Sequence, residues 1–321
     1  MRFNILKSLL KDSEADSINI SIPIMSTQKL FRSVGWRYNI GPLIKNINQY
    51  IKHNLQSNAY DLVWVDKAKF VTPETAKLLR NAARMLVHFT PDPAFAYHRS
   101  TLFYKHIHLY DLCVTTKSYE IANYYDAGVK ELLLTSQGYD PSVHKPITDT
   151  AKSGVCFLGH FEEERGEIIQ ELLNNEITVK LAGIKWGSFA RKNCDNKYLV
   201  YYGDGVYGDK YAKLISGSLI GLGLLSKWVP ELHTTRTFEI PACGTALLTE
   251  VNKETRQFFT EEEAIFFDNS SQIPSLIKYY LENNAELSAI AQRGSKRVLS
   301  SGYDYRSIVE TILRKVCVYE E

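Results

Sequence analysis

Short, unbroken apolar runs alternate with segments of helical spacing along most of the chain, and this pattern narrows the possible folds more than any other feature. The runs are INISI (18–22), DLVWV (61–65), RMLVHF (84–89), YDLCVTT (110–116) and ELLLT (131–135). A strand with water on one face alternates polar and apolar residues, whereas an unbroken run implies burial on both faces, the situation of a parallel sheet covered by helices. Leu43, Ile44, Ile47 and Ile51 recur at helical spacing over 42–55. Thr72 and Pro73 supply a cap and a first helical residue for a helix over 72–82. The pattern predicts doubly wound α/β architecture.

The polar, aperiodic stretch SQGYDPSVHKPITDTAKSG (136–154) interrupts this pattern and reads as an interdomain linker. A second α/β unit follows. It has a strand VCFLG (155–159), a helix with Ile168, Ile169, Leu172 and Leu173 on one face, a strand ITVKLAG (177–183), and further strands near 219–225 and 245–249. Three helices close the chain. Ile273, Leu276, Ile277, Tyr280 and Leu281 mark the apolar face of the first, and Ile308, Val309, Ile312, Leu313 and Val316 that of the last. The expected organisation is a Rossmann-like domain over 1–150, a second over 151–302, and a helix over 303–321 returning to the first. Phe3, Leu6, Leu9 and Leu10 share a helical face, so the first domain opens on a helix and without the usual leading strand and glycine-rich turn.

A length of 321 residues suits two domains. The net charge of +2 gives no overall argument for nucleic acid or membrane and leaves only local patches to consider. Cys113, Cys156, Cys194, Cys243 and Cys317 are odd in number and scattered, which fits a reducing compartment better than a disulfide framework. The first segment carries charges inside its apolar stretch and no small-residue cleavage site, so a secretory signal is not expected. The longest apolar run, over 216–229, is too short and glycine-interrupted to span a bilayer. A cytoplasmic protein without a transmembrane segment is the expectation.

Ligands of parallel sheets bind beyond the carboxyl ends of the strands. Gly159 ends one strand, and its missing side chain lets a ligand approach the backbone; Arg165, six residues on, carries a permanent charge. A second reading of that turn stays open, with Arg165 paired to neighbouring glutamates. In ELHTTRTFEIPACG (231–244), a helix starting near Thr234 or Thr235 would be capped by a hydroxyl and would face Arg236 toward a diphosphate. Glu239, one turn on, suits paired sugar hydroxyls, and Glu231 would lie close by. A capped surface helix with an Arg–Glu pair is the other reading of that spacing. In the first domain, VHFTPDPAFAYHRS offers His88, Asp92 and His98 as acid or base groups, Asp92 on its Pro-flanked turn being the best placed; a Pro-stiffened turn capped by Asp92 is the alternative. His106 and His108 read as a solvated or strand-edge pair before a metal pair.

The segments HTTRTFEIPACGTALLTE and TRQFFTEEEAIFFDNSSQIPSLIKYYLENNAELSAIAQRGSKRVLSSGYDYRSIVETIL resemble the carboxyl-terminal domain of the CgeB-like, spore-maturation-type glycosyltransferases of the GT-B superfamily. VCFLGHFEEERGEIIQELLNNEITVKLAGIKW extends the similarity upstream, with TPDPAFAYHRS and YDLCVTTKSYEIANYYDAGVKELLL more loosely. The spacing of Glu231 and Glu239 is similar to the E-x7-E element of the related group 1 (GT4) enzymes. The resemblance implies a metal-independent transfer of a sugar from a UDP-, GDP- or dTDP-sugar, which is a substrate and not a cofactor, to a glycan, lipid-linked or protein acceptor. No nucleic-acid partner is expected from the charge balance. The resemblance implies that Glu239 holds the ribose, Thr234, Thr235 and Arg236 lie by the diphosphate, Gly159 and Arg165 line the other phosphate wall, and Glu231 approaches the sugar. Asp92 or His88 would serve the acceptor. The absent leading strand departs from the family pattern and leaves a noncatalytic nucleotide-sugar or glycan-binding homologue, with a shortened first domain, as the rival reading. A nucleotide-sugar epimerase is a more distant rival.

Overall fold

The computed structural model describes residues 2–10, 13–56, 60–96, 99–148 and 151–317. The chain divides into two compact units, one of Met1–Ser136 with Ile308–Glu321 and one of Gln137–Ser307.

In the first unit four parallel strands, β1 (Tyr60–Asp66), β2 (Ala83–Thr90), β3 (Leu112–Thr115) and β4 (Leu132–Leu134), pair in chain order. The helices Arg2–Leu9, Ser21–Ser26, Lys29–Tyr38 and Pro42–Asn54 precede them, and no strand comes before β1 among the described residues. Pro42–Asn54 buries Leu43, Ile44, Ile47 and Ile51, the spacing read from the sequence. Thr72 accepts a hydrogen bond from the Thr75 amide and caps Pro73–Ala82. INISI is not a strand. The Asn19 side chain accepts from the Ser21 amide and opens a short helix over Ser21–Ser26, and the buried Pro23 has no N–H to offer a ladder.

The second unit holds six parallel strands, β5 (Val155–Leu158), β6 (Val179–Ala182), β7 (Leu199–Tyr201), β8 (Ile220–Gly223), β9 (Ala246–Glu250) and β10 (Ile265–Phe267), in the order β10-β9-β8-β5-β6-β7. Two strands, β7 and β10, have no counterpart among the apolar runs read from the sequence. Alternate residues feed opposite faces. Val155 and Phe157 join a core with Leu181, Leu222 and Leu248, while Cys156 and Leu158 join one with Phe238, Ile240 and Leu247. The unbroken apolar runs thus have their physical reason, a sheet buried on both sides.

The stretch 136–154 is more than a linker. From Gln137 on, its described part belongs to the second unit, where Tyr139 exchanges backbone hydrogen bonds with Tyr303 and Tyr305 and is buried.

Candidate functional site

The sheet of the second unit reverses its winding between β5 and β8, and a crevice opens there beyond the carboxyl ends of the strands. Only Val155↔Ile220 and Cys156↔Gly221 pair across this point, so the two strands part before either ends. A pocket of about 450 Å³ lies at this edge, a volume suited to a small ligand. It is lined by residues following β5 (Gly159, His160), β6 (Gly183), β7 (Tyr207) and β8 (Arg236, Glu239).

Its floor is backbone. The Gly159 amide donates to Ala182 O at 3.0 Å and the Gly183 amide to Gly203 O at 3.0 Å, carrying the ladder past the strand ends. Gly183 has φ +144°, and a Cβ there would stand 1.8 Å from Gly159 O. Only glycine permits this approach. A Cβ on Gly159 would meet the Phe157 ring at 2.9 Å and the Arg236 guanidinium at 3.4 Å, so the missing side chain leaves Arg236 its space.

Two guanidinium groups, Arg165 and Arg236, lie over the Phe157 ring, 5.6 and 5.7 Å from its centroid. Their surroundings differ. Arg165 is 2% exposed, pairs with Glu162 at 2.7 Å, and donates to His160 O and Leu224 O at 3.2 Å each. It therefore spans the gap between the chain leaving β5 and the chain leaving β8. Burial, with Arg236 adding to it, lowers its pKa to about 10, so it stays charged. Glu162 also faces His160 at 2.7 Å. Burial and then Arg165 hold the His160 pKa below its ordinary value, against the opposing pull of Glu162. Arg236 makes no ion pair among the described residues; its one hydrogen bond, to Leu224 O, is 3.5 Å long, and its Nε is buried without a partner. The pocket wall thus carries one uncompensated cation beside a glycine floor, an arrangement that accepts an anion.

Glu239 lies on the same wall and is 9% exposed. The Tyr211 hydroxyl donates to its Oε2 at 2.6 Å. Burial and the neighbouring carboxylate hold that hydroxyl well above its ordinary pKa, so it remains a donor. His144 Nε2 faces Glu239 Oε1 at 3.6 Å, and its Nδ1 accepts from the Asp140 amide at 3.0 Å, which leaves the proton of the neutral ring on Nε2, toward the carboxylate. The remaining lone pairs of both oxygens are available to two adjacent hydroxyls.

The helix bearing Arg236 and Glu239 runs over Arg236–Ala242 and packs on β8 at Gly221, where a Cβ would stand 2.6 Å from Ile240. Pro241 falls in its last turn, and Gly244, at φ +73°, turns the chain into β9 with its amide donating to Pro241 O. No threonine hydroxyl caps it, contrary to the capping expected at Thr234 or Thr235. Thr237 Oγ1 instead accepts from the Thr234 amide. His233 anchors the approach, its Nδ1 facing Glu254 at 2.5 Å and its Nε2 accepting from the Gln137 amide.

Of the residues singled out in the sequence, Gly159, Thr235, Arg236 and Glu239 line this pocket. Three do not. Arg165 is buried on Glu162 behind Arg236, so the reading of that turn as an Arg–Glu pair is the one the geometry supports. Thr234 is buried with its hydroxyl unpartnered, and Glu231 accepts from the Ser226 amide at 3.3 Å. In the first unit His88 is 0% exposed, packed against Phe103 and Tyr110 with both ring nitrogens unpartnered, and burial lowers its pKa to about 3. A neutral, sealed imidazole exchanges no proton with a substrate, and His88 is withdrawn as an acid or base. Asp92 is partly exposed and pairs with Lys67. His98 lies outside the described residues. His144, Tyr211 and Tyr207 escaped the sequence reading: His144 sat in the supposed linker, and nothing local marks Tyr211 or Tyr207.

Residues 165–314 match the family model described as "Glycosyl transferase-like". No curated protein sequence matches the chain. Solved structures do. Sucrose-phosphate synthase from Thermosynechococcus elongatus aligns with TM-score 0.63 at 13% identity, over 87% of this chain and 79% of that one. Anabaena HepE in complex with UDP aligns with TM-score 0.64 at 15% identity, over 89% and 84%. The trehalose 6-phosphate synthase of Burkholderia multivorans aligns with TM-score 0.61 at 14% identity, over 95% and 81%. The fold is GT-B. At these identities the likeness establishes that fold alone, and within the GT-B architecture the pocket described above belongs to the carboxyl-terminal sheet.

Proposed function

We propose that the chain is a GT-B glycosyltransferase of the CgeB-like type that transfers a sugar from a nucleoside-diphosphate sugar, bound in the pocket of the second unit, to an acceptor. The observation that carries this reading is the unpaired Arg236 beside the glycine floor, one helical turn from a carboxylate with free lone pairs. Arg236, Thr235 and the Gly159 backbone would hold the diphosphate, and Glu239, steadied by Tyr211, the ribose hydroxyls. Arg165 and Thr234 act from behind, and Glu231 serves the donor sugar. The bond from the anomeric carbon to the phosphate oxygen breaks, and the departing nucleoside diphosphate takes the electron pair; a guanidinium already in place stabilises that charge as it develops. The acceptor oxygen bonds to the anomeric carbon and gives its proton to Asp92, or to the departing phosphate if configuration is retained. UDP is the first nucleotide to try, because HepE was solved with UDP and with UDP-glucose.

Calorimetry with UDP, GDP and dTDP tests the donor site; no heat at millimolar concentration for any of them removes it. Radiolabelled transfer from the bound donor, with and without a metal chelator, tests the chemistry and its metal independence. Nucleotide binding with neither transfer nor slow donor hydrolysis decides for the noncatalytic rival.

A further inference from the structure

No acidic residue occurs between Asp16 and Asp61, while Lys29, Arg32, Arg37, Lys45 and Lys52 do. The same stretch carries a concentration of exposed large apolar side chains: Ile22, Met25, Leu30, Phe31, Val34, Trp36, Tyr38 and Ile40, with Met25 and Leu30 each 71% exposed. The helix Lys29–Tyr38 buries only Gly35, whose missing side chain lets it rest on Leu43; a Cβ would stand 2.5 Å from the Leu43 Cβ. Leu30, Val34 and Tyr38 recur four residues apart and share a face with Phe31, and that face is turned outward. An amphipathic helix of a water-exposed surface has the opposite polarity.

The cations are interleaved with this apolar face and are not neutralised. Lys29, Arg37 and Lys45 are exposed and Arg32 half-exposed. None of the four makes an ion pair among the described residues; Arg37 lies over the Tyr38 ring at 5.7 Å and Arg32 points to the Met25 sulfur at 3.7 Å. Trp36 is held by Phe70 at 5.0 Å and by the Lys69 ammonium at 5.4 Å, and it remains 47% exposed. Exposed aliphatic and aromatic side chains ringed by unpaired Lys and Arg complement an anionic bilayer surface, where rings and aliphatic chains enter the boundary of headgroup and acyl chain and the cations meet phosphate. A soluble protein partner would need acidic groups matched one by one to these cations, whereas a lipid surface supplies negative charge without fixed positions. No described helix is long and apolar enough to cross a membrane, so attachment would be peripheral.

We infer that the helix pair Ser21–Ser26 and Lys29–Tyr38 is a docking surface for an anionic lipid membrane. The inference stands independently of the donor-site reading. The test is co-sedimentation of the full chain with vesicles rich in phosphatidylglycerol and with pure phosphatidylcholine vesicles. Preferential partition to the anionic vesicles that falls as salt rises is expected. Arg32→Glu with Arg37→Glu should weaken it about tenfold or more, as should Leu30→Ser with Phe31→Ser, both without lowering the melting temperature by more than a few degrees. If either pair unfolds the chain, the single substitutions Met25→Ser and Lys29→Glu, at exposed positions, serve instead and should each weaken partition measurably. Equal partition to both vesicle types, none to either, or partition indifferent to the substitutions overturns the inference. So does self-association in light scattering that the same substitutions abolish while vesicle binding is absent.

Discussion

Arg236 and Arg165 lie over the same phenyl ring, yet neighbours decide what each does. Glu162 neutralises Arg165, so Arg236 alone faces the pocket with charge to spare. Arg236→Ala should weaken UDP on the order of tenfold to a hundredfold, and pyrophosphate comparably, by calorimetry. Glu239→Gln should weaken UDP about tenfold and leave pyrophosphate unchanged, since a carboxylate that reads ribose has no part in holding phosphate. Equal losses for both ligands in both variants would remove the division of labour. In the first unit, His88 gives a pH prediction. Its folded pKa of about 3 lies below the ordinary 6.5, so the unfolded chain binds the extra proton and stability falls as pH drops through that window. Denaturant melts between pH 7 and 5 should show His88→Phe flatter than the parent by about 1.4 kcal/mol per pH unit at the lower end.

At the scale of elements, the parting of β5 from β8 is held by Arg165, which donates to the chain on both sides. Removing one partner of a buried pair leaves the other uncompensated. Arg165→Met should therefore cost about 3 kcal/mol in urea melts, and Arg165→Met with Glu162→Gln should recover part of that loss. A variant as stable as the parent would show that the strands need no such bridge. Strand and helix identities were largely legible beforehand, because hydrophobic period, a capping threonine and a proline act within a few residues. The failures have particular causes. Ser21–Ser26 became a helix through one asparagine side chain and one buried proline, and Thr237 replaced the expected cap with a bond to a backbone amide.

At the scale of the molecule, UDP held by the folded second unit and not by the unfolded chain should raise stability by about 2.7 kcal/mol at a hundred times its Kd, seen as a melting temperature that climbs with UDP. Asp92→Asn should lower sugar transfer at least tenfold while leaving that climb intact, since a base acting on the acceptor contributes nothing to donor binding. A climb lost in Asp92→Asn, or transfer unaltered by it, would take Asp92 out of the proposal. The amino-acid sequence by itself determined a parallel α/β architecture and the glycine at the end of β5, both of which follow from period and backbone preference. Only the tertiary structure decided the character of the pocket. Which arginine stays unpaired depends on Glu162 and on Leu224 O across the strand gap, which hydroxyl steadies Glu239 depends on Tyr211 from another helix, and whether a histidine meets water depends on Phe103 and Tyr110 packed over it. Charge compensation and burial are set by neighbours distant along the chain, and no local pattern carries them.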